Sequence, residues 1–594
     1  MRWLTLLLGV AILAVVAAVV VALPQGPPPK EPARAKATAS ASASGTPKPT
    51  AFTDPCGTFD NVTRSPYAVT GYWITPSTNP CTWRKQMQEV HAVGADTVIR
   101  LGYGLQARQT DGYGVIIDKD GVIDPRYASC REEGLSCLKA AQNDLKKLNP
   151  KSQITETYVY RTDEHFGDDV FRCQPLERRI VVGRQVFYRL VALADGTDSA
   201  SCDFARFDRD YHLILIAAAP TDSLTELLDL GDRFQVKVFP ALPLAPRDQD
   251  NMTRADARHI GTLTTLTRRI LQDYGARFAG RESLGGVYQP FEVQMSDTLT
   301  KNPTLRVYAD QHDIVEQELP DKPILISPYL DARRRVPFGQ TPKQVAAGFK
   351  ALTRTGVGII APQDSRGTGK VGLYWPDQSG EAVDERLRPV VGETTYGTAY
   401  HGSTRDYYRA MSAAREDMMD AGYAVELWAN VEAFEPSGAQ PCQPLGSRGK
   451  TDKKRLDAAV AMTGRYVAKI VSYMWSDFMT CGSPSLEEEI AKDYARPIAV
   501  EAIRRGRDIQ DGVEVRGFNL ADATVVLTWE GGSKELSVAA TGWYDEAPIE
   551  LPDRMQTAWV PFDWRQAAGA WVQVGVRSAS GLLSSEPVHV RIQP

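Results

Sequence analysis

Metal-ligand spacing is missing from this sequence. Its 7 histidines are scattered over 594 residues, and neither an HxxxH nor a CxxC pair occurs, so the pattern implies no metal and no cofactor. A basic face is missing too: 68 Lys and Arg stand against 73 Asp and Glu, for a net charge of -5, which points away from a nucleic-acid partner. The first strand candidate is not followed by a Gly-rich phosphate turn, since VTGYWITPSTNP (69–80) runs there instead. A doubly wound dinucleotide fold usually opens with such a turn. GTGKVG (367–372) has the letters of G-x-G-x-x-G, but it leads into LYWPDQSG rather than a helix and lacks P-loop spacing. Asn61-Val-Thr and Asn251-Met-Thr match the glycosylation sequon, a pattern too short to carry weight.

Charge is absent from Trp3 to Leu23, about 21 residues or roughly 30 Å of helix, enough to cross a bilayer. No clear small-x-small cleavage site follows, which favours an uncleaved signal anchor over a cleaved signal peptide. Against it, Lys30, Arg34 and Lys36 fall on what would be the outer side. In either case the body is exported, membrane-anchored or secreted. Residues 24–55 are rich in Pro, Ala, Ser, Thr and Lys, a spacer composition. All 8 cysteines follow, an even number that reads as disulfides in an exported chain. Sequence proximity pairs Cys56 with Cys81, Cys130 with Cys137 and Cys173 with Cys202. Cys442 and Cys481, after the seventh and eighth strand candidates, are expected to clamp neighbouring loops.

A composition 43% hydrophobic and 24% charged supports a full core. Strand candidates lie at 67–74, 96–104, 235–242, 284–292, 323–331, 356–364, 424–432 and 468–478, with amphipathic helical segments between them. Several of those segments end in glycine (Gly94, Gly356, Gly422), the expected helix C-cap. Eight strand-helix alternations over 56–496 predict a (β/α)8 barrel. Residues 105–210 interrupt the repeat with four cysteines and a hairpin-like run at 178–193. They are expected on the barrel's rim, as a wall of the substrate groove or as a stapled structural flap. From 497 to 594, short alternating strands predict an immunoglobulin-like β-sandwich, structural or carbohydrate-binding.

The stretch VELWANVEAFEP (425–436) places acid within a strand that otherwise reads as core. Alternation puts Glu426, Trp428, Asn430 and Glu432 on one face, toward the barrel interior. Six residues span roughly 20 Å, so Glu426 lies at the bottom and Glu432 at the top, where barrel active sites sit. Glu426 is expected to pair with a buried cation and Glu435 to be a solvated loop residue. LGGVYQPFEVQMSD brings Glu292 to the end of the fourth strand in the same way. Two such glutamates about 5–5.5 Å apart make a retaining glycosidase pair. Tyr72, Trp73, Tyr288, Tyr329 and Trp475 are candidates to stack on sugar faces, and Gln363 and Asp364 to bond hydroxyls or orient an acid.

In order and spacing, GVYQPFE, ISPYLD, GIIAPQDSRG, ELWANVEAFEP and KIVSYMWSDFM resemble the glycoside-hydrolase-like TIM-barrel family described as a domain of unknown function. That family belongs by fold to the retaining-hydrolase superfamily. The resemblance implies a carbohydrate-active barrel with Glu292 as acid/base and Glu432 as nucleophile. Phe291 stands where much of the superfamily has Asn before the strand-four acid. The expected activity is hydrolysis of an extracellular or cell-wall polysaccharide. The alternative is a catalytically silent glycan-binding or assembly protein on the same scaffold.

Overall fold

In the computed structural model the described residues are 51–196, 208–436, 442, 448–507, 509–541 and 551–592. The expected 1–23 anchor, most of the spacer and Cys202 lie outside them. Among the described residues, no helix is long and apolar enough to cross a membrane.

Eight parallel strands form one sheet: β1 Gly71–Ile74, β2 Thr97–Arg100, β3 Lys237–Pro240, β4 Val287–Gln289, β5 Ile324–Ile326, β6 Ile359–Ile360, β7 Glu426–Glu432 and β8 Lys469–Tyr473. Their order, β3-β2-β1-β8-β7-β6-β5-β4, is sequential around a ring. The ring nearly closes between β3 and β4, where single parallel bridges join Val238 to Leu284 and Ala241 to Tyr288. Each strand lies inside its expected span and is followed by a helix: α1 Pro80–Ala92, α2 Ser223–Phe234, α3 Ile260–Phe278, α4 Thr304–Glu318, α5 Pro342–Thr353, α6 Thr404–Asp420, α7 Lys453–Thr463 and α8 Leu486–Asp493. Capping boxes at Thr341 and Ser403 start α5 and α6, each side chain accepting from the third helical N–H. Gly356 and Gly422 lead out of these same helices at φ 84° and 90°, a left-handed turn that glycine adopts without strain.

Between β2 and α2 the chain builds a separate six-stranded sheet rather than a rim loop. Its order is 178–182, 185–193, 210–218, 153–162, 106–110 and 116–117, so the interruption runs past the expected 210 to residue 218. The 178–193 run is an antiparallel hairpin. This sheet packs on α3 at the barrel's flank. Tyr274 Oη of α3 donates to Glu164 Oε2 at 2.6 Å, Asp273 accepts the Gly167 N–H at 2.6 Å, and Arg100 at the end of β2 pairs with Asp163 and Glu164. The same sheet, through Arg161, Phe187 and Ala217, lines a cavity of about 360 Å³ with Thr78 of the β1–α1 connection, so a place beside the barrel's upper face stays open to it. The sheet carries apolar residues such as Leu190 and Ile214 toward the main core, and burying them requires a helix surface.

Beyond α8, two four-stranded antiparallel sheets share one apolar core that includes Val515, Leu527, Val560 and Val574. The first of these strands is Ile498–Arg504. Polar contacts fix these sheets to the barrel: Arg405 donates to the Val500 carbonyl at 3.0 Å, and His589 pairs with Asp377 at 2.7 Å while stacking on Trp375.

Three disulfides join Cys56 to Cys81, Cys130 to Cys137 and Cys442 to Cys481, the last with Cα atoms 5.8 Å apart. Such bonds persist in oxidising compartments and point to an extracytoplasmic location. The expected Cys173 to Cys202 pairing falls outside the described residues.

Candidate active site

Strand β7 places its acids by simple alternation. Asn430 and Glu432 face the barrel interior, and the Asn430 amide reaches across β6 to Ser327 Oγ at 3.0 Å. Glu426, at the opposite end, is exposed. There it accepts the Trp428 indole N–H at 2.7 Å, where a buried cation was expected. The bottom of the barrel is open to solvent at this point, so the charge needs no partner.

Glu432 is 3% exposed and its Oε2 makes no hydrogen bond. Burial and the adjacent Asp364 push its carboxyl up to about 8, against the pull of Arg366, Arg448 and Lys370. Asp364, fully buried after β6, is also raised by its burial, and its Oδ1 accepts the backbone N–H groups of Arg366 and Glu432 at 3.2 and 3.3 Å. Its Oδ2 makes no hydrogen bond either. The two carboxyls titrate as a pair. Asp364, fed by two N–H donors, is the member that ionises more readily, and the proton stays on Glu432 at neutral pH.

Glu292 is exposed, two residues beyond the buried Tyr288 and Gln289 of β4 plus a proline. Its Oε1 accepts the Gln363 amide N–H at 3.0 Å, and the same amide donates to the Ser327 carbonyl at 3.2 Å. Bridges run from Gln294 to Tyr329, to Gln363 and to Asn430, so the ends of β4, β5, β6 and β7 lie side by side. Gln363, whose amide holds Glu292, bridges to Asn430, two residues before Glu432 on β7.

The aromatic candidates divide. Trp73 and Tyr288 lie inside the barrel, ring centroids 5.9 Å apart, with Tyr473 6.3 Å from Trp73. Both are buried, forming the floor of the mouth. Tyr329 is half-buried at its edge. Tyr72 and Trp475 are corrected: they pack edge to face on each other at 4.8 Å, both 0% exposed, with the Trp475 indole donating to Glu89 of α1. Neighbours on a strand face opposite ways, so Trp73 inside puts Tyr72 outside. Strand β8 ends at Tyr473, five residues before the expected boundary, so Tyr473 takes the interior position and Trp475 turns into the helix layer.

Glu435 is also corrected. It is 1% exposed and bound by Arg366, by Arg455 at 2.8 Å and by Thr451 Oγ1 at 2.6 Å. These partners outweigh its burial and hold its carboxyl down to about 2. Arg366 also donates to the Glu432 carbonyl, so one guanidinium ties the loop after β6 to the end of β7. A Cβ on Gly367 would stand 2.6 Å from the Phe434 carbonyl, which is why this loop turns with glycine there. Arg366 and Lys370 escaped the sequence reading. Their signal was GIIAPQDSRGTGKVG itself, a Gly-rich loop at the C-terminal end of a strand with two cations in it. Among the described residues, no group of His, Cys, Asp and Glu could hold a metal ion.

Residues 198–488, ending within α8, match the family model of a Domain of unknown function (DUF4434). The match spans 291 of the 594 residues. Residues 118–214 match a second Domain of unknown function (DUF8405), which covers most of the inserted sheet. No curated protein matches the chain. Among solved structures, a candidate alpha-L-fucosidase from Bacteroides thetaiotaomicron is 12% identical, over 73% of this chain and 93% of that one, at a TM-score of 0.37. An endo-beta-1,4-mannanase from Thermotoga petrophila is 9% identical over 89% and 98%, at 0.34. A beta-galactosidase from Marinomonas ef1 is 10% identical over 71% and 58%, at 0.33. At this distance the function of the barrel has to come from its own site.

Proposed function

We propose that the chain is an exported glycoside hydrolase acting on an extracellular or cell-wall polysaccharide by a retaining, two-glutamate mechanism. What supports this reading most is the link from Glu292, beyond the end of β4, through the Gln363 amide at 3.0 Å to the bridge with Asn430 on β7, the strand that ends in Glu432. Glu292, exposed where a leaving group departs to solvent, serves as acid/base. Glu432, surrounded by Arg366, Arg448 and Lys370, serves as nucleophile once its proton has left. Gln363 orients Glu292. Tyr329 and Tyr473 provide half-buried rings for sugar faces, above the floor of Trp73 and Tyr288.

The three disulfides and the uncharged 3–23 segment support export, with that segment as an uncleaved anchor. The barrel (56–496) then carries the chemistry, and 497–594, as an immunoglobulin-like sandwich, supports it. A screen of the protein on cell-wall and capsular polysaccharides, with analysis of the anomer first released, tests the reading. Products of retained configuration that vanish with Glu432→Gln are expected. Binding without any cleavage across the panel would leave the silent glycan-binding protein as the better account.

A further inference from the structure

Three cations stand at the mouth in the same unusual way. Arg247 lies over the ring of Phe291 at 4.8 Å, Lys370 over Tyr329 at 4.3 Å and Arg448 over Phe434 at 4.4 Å. The three rings follow the ends of β4, β5 and β7, two or three residues beyond each strand. A cation on a ring face is held in place by the ring's quadrupole, yet its charge stays uncompensated.

If these groups existed to neutralise the site's own acids, they would pair with them. Nearby cations do: Arg333 binds Asp331 at 2.7 Å, and Arg366 and Arg455 bind Glu435. Among the described residues, Arg247, Lys370 and Arg448 have no carboxylate partner within ion-pair distance, and Arg247 donates to the Met252 carbonyl at 2.6 Å. Lys370 is the most telling. Its burial disfavours the ammonium, and the carboxylates that favour it, Asp331, Glu432 and Glu292, act from beyond ion-pair distance. A half-buried cation kept off its neighbouring carboxylates has coordination to spare for a ligand.

We infer that the mouth takes an acidic glycan, whose carboxylate or sulfate groups are received by Lys370, Arg448 and Arg247 while Tyr329 and its neighbours stack on the sugar faces. This rests on the polysaccharide reading above and specifies its substrate class. The spread of the cations over the ends of three strands implies that anionic sugars bind at more than one position along the chain, flanking the scissile bond. Arg247, exposed and on the β3–α3 connection, holds the outermost of these positions.

The test is equilibrium binding to the intact protein, using uronate-containing hexasaccharides, sulfated hexasaccharides and carboxyl-reduced or desulfated counterparts of each. At least one anionic series is expected to bind about tenfold or more tightly than its neutral counterpart. Its advantage should shrink in about 0.5 M salt, where charges are screened within a few ångströms. The carboxylate and sulfate arms identify which group is recognised. Arg247→Gln, at an exposed position, should remove several-fold of the anionic preference and leave the affinity for neutral counterparts unchanged, and Lys370→Gln should likewise lower the anionic preference several-fold. Neutral hexasaccharides binding as well as every anionic one, or a preference untouched by both substitutions, would overturn the inference. Cleavage of neutral polysaccharides alone would sink it and leave the hydrolase standing. Tight anionic binding without cleavage would do the reverse.

Discussion

Asp364 Oδ1 accepts the backbone N–H of Glu432 at 3.3 Å, while the remaining oxygen of each carboxyl, Asp364 Oδ2 and Glu432 Oε2, is buried without a hydrogen bond. Two acids held this way share their protons, and Asp364 controls the charge on Glu432. Replacing Asp364 with Asn keeps an oxygen for the two N–H groups and removes the repelling charge. The Asp364→Asn variant should therefore ionise Glu432 more readily, moving the acidic limb of the kcat/KM profile down by about one unit. A limb that stays in place would show that Glu432 does not set it.

The same proton links the site to stability. Glu432 binds its proton more tightly folded than unfolded, because its folded value of about 8 lies above the ordinary 4.5. Ionisation therefore costs the folded state stability as pH rises from about 4.5 through about 8. Glu432→Gln, which cannot ionise, should match the parent near pH 5 and melt at a higher temperature near pH 9. Thermal unfolding at both pH values reads this, and equal melting at pH 9 would contradict it.

Glu435 behaves oppositely. Its folded value of about 2 lies below 4.5, so its ion pairs stabilise the protein fully above about 4.5, and that stability is lost as pH falls toward 2. Glu435→Gln leaves the Arg366 guanidinium, 1% exposed, without its carboxylate. A loss of about 3 kcal/mol at pH 7 is expected in denaturant unfolding. The difference from the parent should narrow near pH 3. A loss that holds constant with pH would point to packing instead.

How much of this was legible follows from period and position. The strand-helix alternation marks all eight barrel strands, because parallel strands buried on both faces are continuous apolar runs. Period two along β7 separates Glu432 from Val431, but it cannot show that Glu426 meets solvent or that Glu435 meets Arg366, Arg386 and Arg455. Those depend on loops far away in sequence, Arg366 and Arg455 among them. Tyr72 and Trp73 could not both face inward, a constraint present in the sequence itself. The course of the inserted sheet was not readable, since a hairpin and its cysteines are the same on a rim or on a flank. Only its fit to α3 decides.

The clamp between Cys442 and Cys481 bridges 39 residues and closes a loop that carries Arg448. Closing a loop of that length removes unfolded-state entropy worth about 3 to 4 kcal/mol. Double replacement by serine should lower stability by an amount of that order and loosen Arg448 from Phe434, which weakens substrate binding more than turnover. Steady-state kinetics would show a raised KM with kcat nearly kept. A collapse of kcat at unchanged KM would mean the loop positions Glu432 directly.

The two glutamates can be told apart by what restores them. Glu432→Ala removes the group proposed to attack the sugar, and leaves room where a small anion can attack in its place. Glu292→Ala removes the proton donor but leaves the covalent intermediate able to form from a substrate with a good leaving group. Both should lower turnover of a polysaccharide by about 10³-fold or more with the fold intact by circular dichroism. With an activated aryl glycoside, azide should then revive each variant differently. Glu432→Ala should give a glycosyl azide of inverted configuration, since the anion makes the only displacement. Glu292→Ala should give a retained one, since azide then makes the second of two displacements. Exchange of these two outcomes would reverse the roles, making Glu432, with its tightly held proton, the acid. Failure of both residues to matter would remove the catalytic reading of the mouth.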